Sequence, residues 1–170
     1  MHPRPEKPGP GQESVWDYPR PPALDESSES VEVEVGGVVV ARTTRSWRVL
    51  ETSHPPTYYL PREAFAEGVL RPTDGSSTCE WKGRAAYFDL VGGVGADGRP
   101  VVAERAAWTY PTPTPAFAAL ADAVAVTPLA VDACRVDGEL VVAQEGGFYG
   151  GWITSRVVGP FKGIPGSWGW

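Results

Sequence analysis

Val31-Glu32-Val33-Glu34-Val35, followed by Gly36-Gly37 and then Val38-Val39-Val40-Ala41-Arg42, is the stretch on which the fold turns. Strict alternation of valine with glutamate puts three apolar side chains on one face and two charged ones on the other, the pattern of a half-buried strand. Two glycines then supply the left-handed backbone of a tight hairpin, and a second valine-rich run follows. Antiparallel pairing is therefore expected from the first ordered segment onward. The same reading extends outward to strands over residues 47–51, 57–60, 79–90, 101–110, 131–136 and 140–143. The dipeptide Pro55-Pro56 breaks the first of these, which resumes over residues 57–60, and Asp137-Gly138 turns the last pair into a hairpin. Residues 62–70 read as a short helix or helical turn. Residues 115–124, with Pro115 where a first turn tolerates it, read as the one clear helix. The expected class is mainly β, with seven to nine short strands in antiparallel sheets and one or two short helices.

The chain has 170 residues, 42% of them hydrophobic, with twenty glycines and eighteen prolines. That much Gly and Pro favours short elements joined by many turns. Residues 1–14 are rich in Pro, Gly and charge and read as a disordered tail, with a single β-rich domain over residues 15–170. The arm Trp16-Asp17-Tyr18-Pro19-Arg20-Pro21-Pro22 is expected to lie extended on the body. A net charge of −6 argues against a nucleic-acid partner, because phosphate backbones are met by basic surfaces. No apolar run approaches membrane-spanning length, and the N-terminus lacks the apolar stretch of a signal peptide, so a cytoplasmic location is expected. The excess of twelve arginines over three lysines fits a GC-rich bacterial genome. Cys79 and Cys134 read as free thiols, with a single bridge as the alternative. They are too few for a paired-cysteine zinc site, so neither a metal nor a cofactor is expected.

Three groups of residues invite a chemical reading. In Glu51-Thr52-Ser53-His54-Pro55-Pro56, a carboxylate three residues before a histidine is placed to orient the imidazole or share its proton. The alternative is a hydrogen-bonded structural histidine at a rigid turn. In Cys79-Glu80-Trp81-Lys82-Gly83, a strand would put Glu80 and Lys82 on one face and Cys79 and Trp81 on the other. Lys82 is notable where arginine is the habitual cation, since its amine adjusts its pKa more readily, although an exposed ion pair explains the pattern as well. The third group is the tail: residues 146–152 (Gly-Gly-Phe-Tyr-Gly-Gly-Trp) and Pro160-Phe161-Lys162-Gly163 alternate glycine with aromatics. They are expected to wall the core or a pocket, with Lys162 aimed into it or held by aromatic rings. The glycines form no phosphate-binding loop.

Several longer stretches resemble the domain-of-unknown-function family number 427: residues 49–61, 79–87, 106–117, 131–139 and 146–170. The resemblance extends over roughly residues 14–170. It implies the β-tent, or Mss4-like, architecture shared with methionine-R-sulfoxide reductase. Those relatives often hold zinc through Cys-x-x-Cys pairs, which this chain lacks, so no zinc site is carried over. Nucleotidyl transfer, sometimes attached to the family, is not supported either, since no Gly-Ser motif followed by Asp-x-Asp is present. Where the family usually reads like Phe-Tyr-Pro-Gly, this chain has Val126-Thr127-Pro128-Leu129-Ala130, which implies an altered specificity if that loop lines the pocket.

These readings converge on a small-molecule enzyme whose acid–base chemistry (isomerisation, cyclisation or elimination) needs no metal. Glu51, His54, Glu80 and Lys82 are the expected catalytic residues. Tyr58, Trp81, Trp108, Tyr149, Trp152 and Lys162 are the expected substrate-binding residues. The alternatives are a non-catalytic module binding a small organic ligand and a structural or partner-binding protein; a homodimer through an exposed sheet edge is compatible with all three.

Overall fold

The valine–glutamate alternation resolves as a buried–half-buried alternation in the computed structural model: Val31, Val33 and Val35 are at most 1% exposed, while Glu32 and Glu34 reach solvent. The structure describes residues 3–147 and 149–170. In chain order its strands are β1 (Glu13–Ser14), β2 (Ala23–Ser27), β3 (Val31–Val35), β4 (Val38–Thr43), β5 (Ser46–Leu50), β6 (Thr57–Pro61), β7 (Leu70–Cys79) and β8 (Gly83–Val94). They continue with β9 (Pro100–Thr109), β10 (Ala123–Val126), β11 (Ala133–Val136), β12 (Glu139–Leu140), β13 (Val142–Ala143), β14 (Trp152–Ile153) and β15 (Val157–Val158). Strand accounts for 46% of the structure and helix for 9%. The mainly-β class is thus as the sequence implies.

A curled seven-stranded antiparallel sheet, ordered β2-β5-β6-β10-β9-β8-β7, forms a half-barrel. A four-stranded sheet, β12-β11-β3-β4, covers one of its faces. Between them Val31, Val33, Val35, Leu60, Phe88, Leu90, Val124 and Val126 make one apolar core. Each such side chain contributes about 1.5–3 kcal/mol through burial. The other face carries a second apolar cluster, including Val49, Tyr59, Ala85, Tyr110, Leu120 and Ala125. It is this face that carries the candidate site.

Two expected elements are different in the structure. Residues 79–90 are not one strand: Cys79 ends β7, and Glu80-Trp81-Lys82 form the turn into β8. Gly83 at φ 111° allows the reversal, and a Cβ there would stand 3.3 Å from the Thr112 carbonyl oxygen. Residues 115–124 are not an α-helix but a short 3₁₀ stretch, Pro115–Leu120, broken at Phe117, after which the chain enters β10. Ala123–Val126 is fully buried between β6 and β9, and that burial outweighs the helix preference of an alanine-rich segment too short to nucleate alone. Residues 62–70, expected as a short helix or helical turn, hold the single 3₁₀ turn Arg62–Ala64, and Leu70 opens β7.

The N-terminal arm is tied in by charge. β1 pairs in parallel with β15, and Trp16 donates its indole N–H to the Pro160 carbonyl at 2.9 Å. Arg48, 1% exposed, donates to Glu13 at 2.6 Å and to Asp25 at 2.8 Å, and lies 3.3 Å from the Tyr18 hydroxyl. Arg156 joins Glu13 at 3.1 Å and Glu29 at 2.8 Å. Partial burial of Glu13 works to raise its pKa, but Arg48, Tyr18 and Arg156 prevail and hold it at about 2.

Candidate functional site

A cavity of about 540 Å³ opens on the second face of the large sheet. Its floor follows from strand register. Trp47 pairs with Tyr59, Tyr59 with Ala125, Ala125 with Trp108, and Trp108 with Tyr87. Residues directly opposite one another in a sheet point to the same side, so this row lays aromatics across the face, with small Ala125 in the middle. Of the row, Tyr59, Trp108 and Tyr87 border the cavity. The Trp108 indole N–H donates to the Tyr59 hydroxyl at 3.2 Å, and the two rings meet edge to face at 6.4 Å. Tyr110, two residues beyond Trp108, extends the aromatic surface. Burial raises the pKa of Tyr59 and of Tyr110 well above the ordinary phenol value, so both remain neutral hydrogen-bond donors.

One wall is the turn after β5. The His54 N–H donates to the Glu51 carbonyl at 3.0 Å and Ser53 adopts φ 71°, which brings Glu51 back beside His54. The His54 Nδ1 lies 3.0 Å from the Thr52 carbonyl oxygen and 3.7 Å from the Glu51 carboxylate. A carbonyl can only accept, so Nδ1 carries the proton and Nε2 keeps the lone pair. Arg20 anchors the same carboxylate at 3.4 Å. Burial lowers the His54 pKa; Glu51 and the Thr52 carbonyl oppose this, Lys162 and Arg20 reinforce it, and the net shift is downward. The imidazole is neutral at pH 7.

The opposite wall comes from the β7–β8 hairpin and from β9. Lys82 stands 5.7 Å over the Tyr110 ring, and the Arg105 guanidinium 4.4 Å over the Tyr87 ring. Ser77 and Tyr87 share a hydrogen bond of 2.6 Å. The tail closes the rim. Gly150 lies so near Trp108 that a Cβ would come within 2.3 Å of the indole, and Tyr149 meets His54 edge to face at 5.5 Å. Buried Gln144 accepts from the Gly151 N–H at 3.1 Å and donates to the Lys162 carbonyl at 2.8 Å, locking that segment.

The ten residues singled out from sequence separate into two groups. Glu51, His54, Lys82, Trp108 and Tyr149 line the cavity. Glu80 is exposed in the hairpin turn, on no shared strand face with Lys82, and Trp81 packs at the edge of the second apolar cluster. Tyr58 and Trp152 stack on each other at 4.8 Å inside the main core, with the Trp152 indole N–H bonded to the Val126 carbonyl at 2.8 Å. Lys162 bonds the Trp170 carbonyl oxygen at 3.1 Å and reaches the site only through its charge on His54. Tyr59, Tyr87, Arg105, Tyr110 and Gln144 belong to the cavity without having been singled out. The cross-strand partner of Trp108 would have pointed to Tyr87, had the register been known. Among the described residues, no three His, Cys, Asp or Glu side chains gather as metal ligands, and no helix is long and apolar enough to cross a membrane.

The family model described as Domain of unknown function (DUF427) matches residues 23–137, and the chain belongs to that family. The matched segment contains Glu51, His54, Lys82, Arg105 and Trp108, whereas Gln144 and Tyr149 lie beyond it. No curated protein matches the chain.

Proposed function

We propose that this member of the family is a small-molecule enzyme, in which a neutral His54 acts as general base inside the aromatic cavity. The observation that carries the reading is the pairing of His54 Nδ1 with the Thr52 carbonyl in a buried setting that lowers the imidazole pKa. An imidazole held in one tautomer, uncharged at neutral pH, is ready to take a proton through Nε2. Glu51, at 3.7 Å and anchored by Arg20, is placed to stabilise the imidazolium that proton transfer creates. Lys82 would then face the negative charge left on the substrate. Abstraction of a proton next to a carbonyl, leading to isomerisation, cyclisation or elimination, uses these groups and needs no metal. The exposed position of Glu80 removes it from this scheme.

The second reading, a binding module without turnover, is favoured by the aromatic floor alone. The two are separated by screening small organic molecules for thermal stabilisation and then for chemical change. In an enzyme, His54→Asn abolishes turnover while the ligand Kd changes by no more than about threefold. In a binding module, wild type leaves every stabilising ligand chemically intact, and His54→Asn alters affinity alone.

A further inference from the structure

The backbone around Arg105 is arranged at some cost. Arg105 has φ 50°, a left-handed value in the middle of a strand, where a residue with a Cβ rarely sits. It lies in a bulge: Phe88 pairs with Ala107 and Leu90 with Ala103, so three residues of β9 face one of β8. Asp89 fills the irregularity by accepting the Arg105 N–H at 2.8 Å. Across the hairpin Gly75 makes the matching concession. Its φ is 103°, and a Cβ there would come within 2.5 Å of the Arg105 Nη1. Bulge, left-handed residue and glycine together bring one guanidinium onto the Tyr87 ring at the cavity wall, where Nη1 also donates to the Asp74 carbonyl at 3.1 Å.

The Asp89 carboxylate across the bulge accepts the Arg105 backbone N–H and pairs with Arg71 at 3.0 Å, so it acts on the Arg105 guanidinium only from beyond ion-pair distance. Neither Arg105 nor Lys82 has a carboxylate partner within ion-pair distance among the described residues, whereas Arg48, Arg71 and Arg156 all do. The one carboxylate on the cavity wall, Glu51, is held by Arg20. Tyr87 is the cross-strand partner of Trp108, and Tyr110 lies two residues further along the same face, about 7 Å away by strand rise. Both cations therefore stand over rings that flank the Trp108 indole, in a chain whose net charge is −6.

We infer that the cavity takes a flat, anionic small molecule, its ring laid along Trp108 and its carboxylate or phosphate held by Arg105 together with Lys82. The inference rests on the cavity being the ligand site, as in the reading above, and adds Arg105 as a binding residue and negative charge as the basis of selection. Stacking supplies area without directional demand. The planar guanidinium fork, fixed against Tyr87, supplies direction and matches a carboxylate or phosphate edge.

The test is equilibrium titration of the full chain, followed by tryptophan fluorescence, with three probes of one ring size: 2-naphthoate, 2-naphthyl phosphate and neutral 2-naphthamide. Wild type should bind at least one anion about tenfold more tightly than the amide, and that preference should shrink as salt is raised. Arg105→Gly removes the guanidinium while suiting the left-handed backbone, so the fold is retained, and a thermal melt verifies this. It should abolish the preference and leave amide affinity within about twofold. The anion that loses more affinity identifies carboxylate or phosphate as the group recognised. If amide and anions bind equally, or if Arg105→Gly leaves the preference intact, the anion inference is overturned while the cavity remains a ligand site. If no probe binds at millimolar concentration, the inference and the reading beneath it both fall.

Discussion

Replacing Arg48 with methionine isolates the charge network that holds the N-terminal arm to the sheet. Methionine keeps much of the apolar stem, so the change removes the guanidinium rather than the packing. Three contacts disappear: to Glu13 at 2.6 Å, to Asp25 at 2.8 Å and to the Tyr18 hydroxyl at 3.3 Å. Breaking a fully buried pair costs about 3–5 kcal/mol, because a charge is left behind without a partner. Here Glu13 and Asp25 are 33% and 42% exposed, so water can recover part of the loss, and Arg156 still holds Glu13 at 3.1 Å. The expected loss is therefore about 2–3 kcal/mol.

The same network makes a pH prediction. The Glu13 pKa drops from an ordinary 4.5 to about 2 on folding. A depressed carboxylate stabilises the folded state above its unfolded pKa, and that contribution is lost as pH falls from 4.5 through about 2. The full shift corresponds to about 3 kcal/mol, which a side chain one-third exposed reduces to about 1–2. Urea unfolding of wild type and Arg48→Met, at pH 7 and again at pH 3, measures both quantities through the midpoint at constant slope. The difference between the two proteins should narrow by about 1 kcal/mol at the lower pH. A loss below about 0.5 kcal/mol at pH 7, or a difference that does not move with pH, would show that the network does not stabilise the fold in this way.

Other expected outcomes are more local. Gly150→Ala drives a methyl group into the Trp108 indole, so unfolding should show a loss of about 1–3 kcal/mol together with a shift in tryptophan emission. Histidine NMR should find that His54 titrates below the ordinary imidazole range; a value at or above it would contradict the burial argument. Cys134 is 1% exposed and its thiol is pushed up to about 12, whereas Cys79 borders the cavity. A thiol reagent should accordingly modify one cysteine in the native protein and the second only on unfolding, and equal rates would contradict the assignment. Trp152→Phe leaves the Val126 carbonyl without its indole donor and should cost about 2–3 kcal/mol in the same urea assay.

The wall of the site that lies within one turn was legible from residue order. Glu51 and His54 are three positions apart beside two prolines, and local backbone geometry alone brings them together at 3.7 Å. The floor was not legible in this way. Tyr58 and Tyr59 are chemically equal neighbours on β6, and successive side chains on a strand face opposite sides, so one belongs to the core and the other to the cavity. Nothing in the dipeptide says which. The pairing of Tyr59 with Trp47 and Ala125 decides it, through strands brought from elsewhere in the chain. Glu80 and Lys82 mark the reverse failure, since the alternation expected of them presupposed a strand that the Gly83 turn does not allow.

Arg105 is the clearest case of a residue hidden from a linear reading, because its placement depends on a bulge against Asp89 and a glycine thirty positions earlier. Alternation, turn residues and long motifs are properties of neighbouring positions, and the mainly-β class, the hairpin at Gly36-Gly37 and the family follow from them. Which face each strand turns to the cavity, which cations line it and which aromatics are withdrawn into the core depend on how the strands come together. Those choices are set by cross-strand register and by the competition of two apolar faces for burial, and both arise from contacts between residues far apart in the chain.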